Sequence, residues 1–236
     1  GSATACVTIE YSFKPGLGAV PPQGRPNFLD SGPGGAGCTT GYPIPVNGQV
    51  AFAPTSIDGA IPFPSTTANA QMSATVTSTG SPVVASVDAW VAGTRSLAAY
   101  DAFTVSPTNE LATDLIIPLA IKHQDGYLSQ FLISNPNPSP ASVTITYSSP
   151  SSSHQVQLTV PVNGTADHGV YSDATVPIGF VGAARLISDQ PIAAVAFYGK
   201  MTTANSYVPE DFYAAINAIP STSATTKLKF PLIFRR

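Results

Sequence analysis

Charge is what this 236-residue chain has least of. Lys, Arg, Asp and Glu together make up 10% of it, against about 25% in an ordinary soluble domain. With 10 basic and 13 acidic side chains the net charge is only −3. There is no basic stripe to neutralise phosphates, so nucleic acid is excluded as a partner class. Glu and Lys, which fill exposed helix faces, are scarce, and this argues against helices. Long apolar runs are missing as well. Residues 115–121 and 192–198 are the longest, far below the roughly 20 that a membrane-spanning helix requires. No secretory leader opens the sequence, so export implies that one has been removed.

Catalytic signatures are also missing. No GxSxG, HExxH, phosphate-loop or dinucleotide motif occurs. The glycine-rich stretch 32–37 lacks the Lys-Ser/Thr of a phosphate loop and reads as flexible loop. His123, His154 and His168 are spread along the chain and read as solvated loop histidines, not metal ligands. Asp88 and Asp101 have no spacing that favours an acid pair. The expectation is no enzyme, no cofactor and no metal.

What remains is apolar and heavily punctuated. Hydrophobic residues reach 43%, enough for a core, and 23 Pro and 19 Gly break them into short runs. With abundant β-branched residues, this is the pattern of an all-β sandwich. The two cysteines, Cys6 and Cys38, fit no zinc spacing. An even count favours a disulfide, with two buried free thiols as the alternative. A disulfide closing that loop would contribute roughly 3–4 kcal/mol and would imply an oxidising compartment.

The most informative feature is an internal repeat. Residues 5–12 read Ala-Cys-Val-Thr-Ile-Glu-Tyr-Ser, and residues 141–148 read Ala-Ser-Val-Thr-Ile-Thr-Tyr-Ser. Pro45-Val46-Asn47-Gly48 recurs as Pro161-Val162-Asn163-Gly164, and Ser81-Pro82-Val83 resembles Gln190-Pro191-Ile192. Residues 101–103 resemble 210–212, and residues 115–122 resemble 228–235. The order is the same in both copies, and their spacing differs by insertions. The main insertion lies between Phe13 and Ile44 and ends near Cys38, so a Cys6–Cys38 bond would tie it to the strand it leaves.

Strands are expected at 115–122, 127–135, 141–148, 155–162, 180–188 and 192–200, with 211–218 a short helix or a strand. Asn163-Gly164 is a hairpin turn signal and also part of a glycosylation sequon. Trp90, Tyr100, Tyr198 and Tyr207 fit core packing better than a sugar platform. The chain divides into two tandem immunoglobulin-like sandwiches. The first, 1–111, lacks its initial strands, because residues 5–12 match the third strand of the second, 112–225. Residues 226–236 are left as an extra strand without a domain.

In that strand Leu228, Phe230, Leu232 and Phe234 share one face, and Pro231 suits an edge position, as does Pro118 in the matching segment. Val7, Ile9 and Tyr11 on the first repeated strand are the expected acceptor groove. The pattern resembles donor-strand pilins, filament-forming surface proteins of bacteria and tandem immunoglobulin-like modules of large bacterial surface proteins. The resemblance implies a bacterial cell-surface subunit in a homopolymer, each copy donating its C-terminal strand to the next. Two alternatives stand beside it: a fragment of a longer repeat array, and an adhesin or carbohydrate-binding module whose partners are surface glycans.

Overall fold

Alternation of apolar and polar side chains sets the strands. In residues 141–148 Ala141, Val143, Ile145 and Tyr147 are fully buried, while Ser142, Thr144 and Thr146 point away. The computed structural model describes residues 3–13, 27–52, 72–90, 97–104, 111–200 and 213–223. In chain order the strands are β1 (Ala5–Phe13), β2 (Asn27–Asp30), β3 (Tyr42–Ile44), β4 (Met72–Thr79), β5 (Ser86–Trp90), β6 (Leu97–Asp101) and β7 (Ala112–Gln124). They continue with β8 (Tyr127–Asn135), β9 (Ala141–Ser148), β10 (Ser153–Val160), β11 (Gly164–Gly169), β12 (Phe180–Lys200), β13 (Tyr213–Asn217) and β14 (Ile219–Pro220). Among the described residues there is no α-helix, only single 3-10 turns at Val170–Ser172 and Ser221–Ser223. The chain is all-β and its strand pairings are antiparallel.

Strands β7 to β14 form one antiparallel sheet that folds over its own core. The first half of β12 lies between β9 and β7, and the second half lies between β8 and β13. Strand β10 extends β9 on one layer, and β11 extends β8 on the other. Leu115, Ile117, Phe131, Ile133, Val143, Ile145, Leu186 and Ile192 fill the space between.

Several details differ from the sequence reading. Segments 180–188 and 192–200 are one strand, not two. The register shifts between Ile187 and Ile192, so the chain bends there and changes layer without leaving the sheet. The Ser142 amide donates to Asp189 Oδ1 at 2.8 Å, and Asn137 Nδ2 donates to Pro191 O at 2.7 Å, fixing the bend. Pro118 is exposed in β7. Among the described residues β8 pairs with β7 only at Lys122 and Gln124, and β14 only at Leu115 and Ile116, so β12 alone flanks Pro118 and its other side is an unpaired edge. On the β12 side Ile117 faces Ala184 but Ala120 faces Gly182. That bulge leaves a residue of β7 unpaired, which tolerates the missing N–H. Asn163-Gly164 does not close a hairpin. It joins β10 to β11, which lie in different layers.

The repeat is visible in the ladders. Strand β1 carries β4 on one edge and β2 and β3 on the other. Ala5 faces Ile44 in β3, as Ala141 faces Val160 in β10. Ile9 faces Val76 and Tyr11 faces Ala74 in β4, as Ile145 faces Leu186 and Tyr147 faces Ala184 in β12. Both Pro-Val-Asn-Gly turns close the same way, the Gly48 and Gly164 amides donating to Pro45 O and Pro161 O at 2.8 and 3.2 Å. A Cβ on Gly48 or Gly164 would press on the proline ring at 2.6 or 2.7 Å, which is why glycine stands there twice.

One match needs correction. Ser86 faces Asp101 and Trp90 faces Leu97, as Val195 faces Asn217 and Gly199 faces Tyr213. The counterpart of β6 is therefore β13, with Ala98-Ala99 matching Ala214-Ala215; residues 210–212 lie outside the described residues. The β5–β6 hairpin packs on the outer face of the larger sheet. There Ala98, Val195 and Phe197 are buried together, Tyr100 meets Phe197 edge-on at 5.6 Å, and Asn217 Nδ2 donates to Asp101 O at 2.9 Å.

Candidate functional site

Two places combine unusual chemistry with a defined geometry: a polar cluster beneath the loop before β12, and the free side of β4.

The cluster is built from the ends of β7, β9, β10 and β11. Lys122 is buried, and its Nζ donates to Asp173 O at 2.6 Å and Val176 O at 2.8 Å. His168 Nε2 lies 3.0 Å from Asp173 Oδ2. The backbone N–H and the hydroxyl of Thr175 both donate to Asp173 Oδ1. Burial depresses the His168 pKa more than the Asp173 charge raises it, so the imidazole stays neutral near neutrality. Burial opposes ionisation of Asp173, yet the Thr175 and His168 contacts keep its pKa below the usual carboxylate value. The Tyr147 ring lies between His168 and Phe180, and burial raises its hydroxyl pKa. His154 packs edge-on against Phe180 at 6.0 Å. His154 and His168 are thus strand residues packed on aromatic rings, not solvated loop residues. Lys122 and Asp173 were not legible as a pair in the sequence, because their contacts join positions far apart in the chain. These groups pin the loop to the sheet.

The free side of β4 is a different kind of place. Among the described residues β4 pairs with β1 alone. Directly opposed residues of an antiparallel pair share a face, so Ala74 and Val76 lie on the face where Tyr11 and Ile9 are buried. Ala74 is nevertheless exposed, and Val76 keeps 39% of its surface in solvent. Their ladder counterparts Ala184 and Leu186 are 1% and 0% exposed, because β7 pairs along that side of β12. Among the described residues no strand pairs with β4 where β7 pairs with β12 in the second copy.

The expected acceptor residues Val7, Ile9 and Tyr11 are buried on β1 and pack against Ile44, Phe52 and Val83. Both edges of β1 are already paired, so no further strand can pair with Val7, Ile9 or Tyr11 along β1. Burial and the Asp30 charge push the Tyr11 pKa up to about 12. The expected polymerisation strand, with Leu228, Phe230, Pro231, Leu232 and Phe234, lies outside the described residues. Cys6 and Cys38 are disulfide-bonded, with Cα atoms 5.6 Å apart. The glycine-rich stretch they anchor is hydrogen-bonded rather than loose: Gly35 and Cys38 exchange both backbone bonds at 2.9 Å. Tyr42 Oη donates to the Asp30 carboxylate at 2.8 Å, and the Gly32 amide donates to it at 3.0 Å.

Of the four aromatic positions, the two with described side chains are packed within the protein. Tyr198 Oη donates to Leu119 O at 2.8 Å from within the core, and Tyr100 packs on Phe197. Tyr207 and the Trp90 side chain lie outside the described residues. Asp88 is exposed on β5 opposite Ala99.

No protein-family model matches the chain, and no curated protein does. Among solved structures, the crystal structure of Thermotoga maritima 1070 is similar at 12% identity and a TM-score of 0.39, over 47% of this chain and 96% of that one.

Proposed function

We propose that the chain is a structural subunit of an extracellular filament, in which residues 226–236 of one copy complete the N-terminal unit of the next. The observation that carries this reading is the uncovered inward face of β4 beside a sequence repeat of the strand that covers its counterpart. Residues 228–235 repeat the pattern of 115–122, the segment of β7 that pairs with β12. A strand added to an open edge gains main-chain hydrogen bonds, and its alternate side chains enter the core. Burying Leu228, Phe230, Leu232 and Phe234 is worth roughly 6–12 kcal/mol. Ordering the segment offsets a comparable amount, so the surplus comes from pairing with an edge already held in place. Donor and acceptor are different segments of the chain, so the contact is heterologous, and where its rotation does not close a ring it propagates as an open polymer. The Cys6–Cys38 disulfide suits an oxidising compartment outside the cytoplasm.

Deleting residues 226–236 tests the proposal. The intact chain should form filaments visible by negative-stain electron microscopy, and the truncated chain should run as a monomer in light scattering with unchanged strand content. Undiminished assembly of the truncated chain, or an intact chain that stays monomeric at high concentration, would refute strand donation.

A further inference from the structure

Building on strand donation, we infer that the acceptor is the edge of β4 left unpaired among the described residues and that the register is set, with Leu228 of one copy opposite Val76 of the next and Phe230 opposite Ala74. The register follows from two ladders that share a template. Ile9 and Tyr11 stand opposite Val76 and Ala74, as Ile145 and Tyr147 stand opposite Leu186 and Ala184. On the other side of β12, Leu115 faces Leu186 and Ile117 faces Ala184. Residues 228 and 230 hold the places of 115 and 117 in the repeat. Transferring the second ladder onto the first therefore pairs Leu228 with Val76, Lys229 with Thr75 and Phe230 with Ala74.

Side-chain chemistry agrees with that register. Leu115 and Ile117 are fully buried, while Ile116 between them is not. Leu228 and Phe230 take the two inward places, and Lys229 takes the outward one beside the exposed Thr75. Ala74 is small and faces Tyr11 across the ladder, leaving room for a ring at position 230. Slipping by one residue would turn Lys229 into the core and Leu228 and Phe230 into water. After Ile117 the β7 ladder bulges at Pro118. Pro231 stands at the same place in the repeat, so the donated strand can bulge there without losing a ladder bond it needs.

Mixed single-cysteine variants test the register. V76C is mixed with L228C, and separately with K229C, under mild oxidation, and cross-linked peptides are read by mass spectrometry. A disulfide needs Cβ atoms about 4 Å apart on one face, so V76C–L228C bonds between chains should exceed V76C–K229C bonds by roughly tenfold. V76R supplies an independent measurement: position 76 is partly exposed in the single chain, so melting should be unchanged while filament growth stops. Filaments whose cross-links join residue 228 to another strand, or V76R filaments as long as those of the wild type, would overturn the register and leave strand donation standing. A V76C/L228C double variant that closes its disulfide within one chain at high dilution would overturn both. So would a wild-type chain that does not assemble.

Discussion

His168 Nε2 lies 3.0 Å from Asp173 Oδ2, and this contact closes the loop before β12 onto the end of β11. Burial keeps the imidazole pKa below its ordinary 6.5. The sign of the pH dependence follows. The unfolded chain takes up a proton near 6.5, and the folded chain does so only at lower pH. Stability is therefore full above 6.5 and falls as the pH drops towards the folded value. The Asp173 carboxyl pKa is held below 3.8, so its share is lost only in a second, more acidic step. Urea midpoints measured from neutrality downward should show two declines. In H168Q the upper decline should disappear and the lower one remain. A midpoint that stays flat through the upper range in the wild type would contradict this account.

Lys122 should matter for stability out of proportion to its single charge. Its Nζ satisfies two carbonyls of the 170–180 loop. K122M keeps the aliphatic stem and leaves both carbonyls without a donor, so it should cost about 1–3 kcal/mol in chemical denaturation. Hydrogen exchange should report the loss at Asp173–Val176 first. Unchanged protection there would mean that the loop is held by something else.

Asn135 is a second buried hub. Its Nδ2 donates to Ser139 O at 2.8 Å and Pro161 O at 3.1 Å, and its Oδ1 accepts from the Asn137 backbone and side-chain amides. N135D has nearly the same shape but presents oxygen to oxygen on the donor side. It should destabilise as much as N135A, by about 2–4 kcal/mol. If N135D were as stable as wild type in thermal melts, the donor role would be refuted.

Removing the disulfide with C6A/C38A should destabilise by roughly 3–4 kcal/mol in the chain-entropy picture for a loop of this length. The loss should be confined. Amides of β1 to β4 should exchange faster, while those of β8, β9 and β12, around the larger core, should keep their protection. Equal loss in both places would mean that the two ladders unfold as one.

Strand positions were open to a reader of the sequence wherever one face is buried and the other is wet. Residues 127–135 and 141–148 have the expected bounds, because period-2 alternation is a local consequence of the pleat. The Pro-Val-Asn-Gly turns were legible as turns for the same reason, since a proline ring and a neighbouring glycine constrain only their own few residues. The role of the Asn163-Gly164 turn was not legible. Whether it closes a hairpin or crosses between layers depends on where β10 and β11 find partners.

The sequence by itself determined the all-β class and carried the internal repeat, because composition, periodicity and repetition are properties of the chain read along its length. Only the tertiary structure decided that β1 is paired on both edges while β4 pairs with β1 alone among the described residues, that β12 serves two layers, and that His168, Asp173 and Lys122 meet. Those facts concern which distant segments share a ladder or a buried contact, and neighbours along the chain carry no record of them.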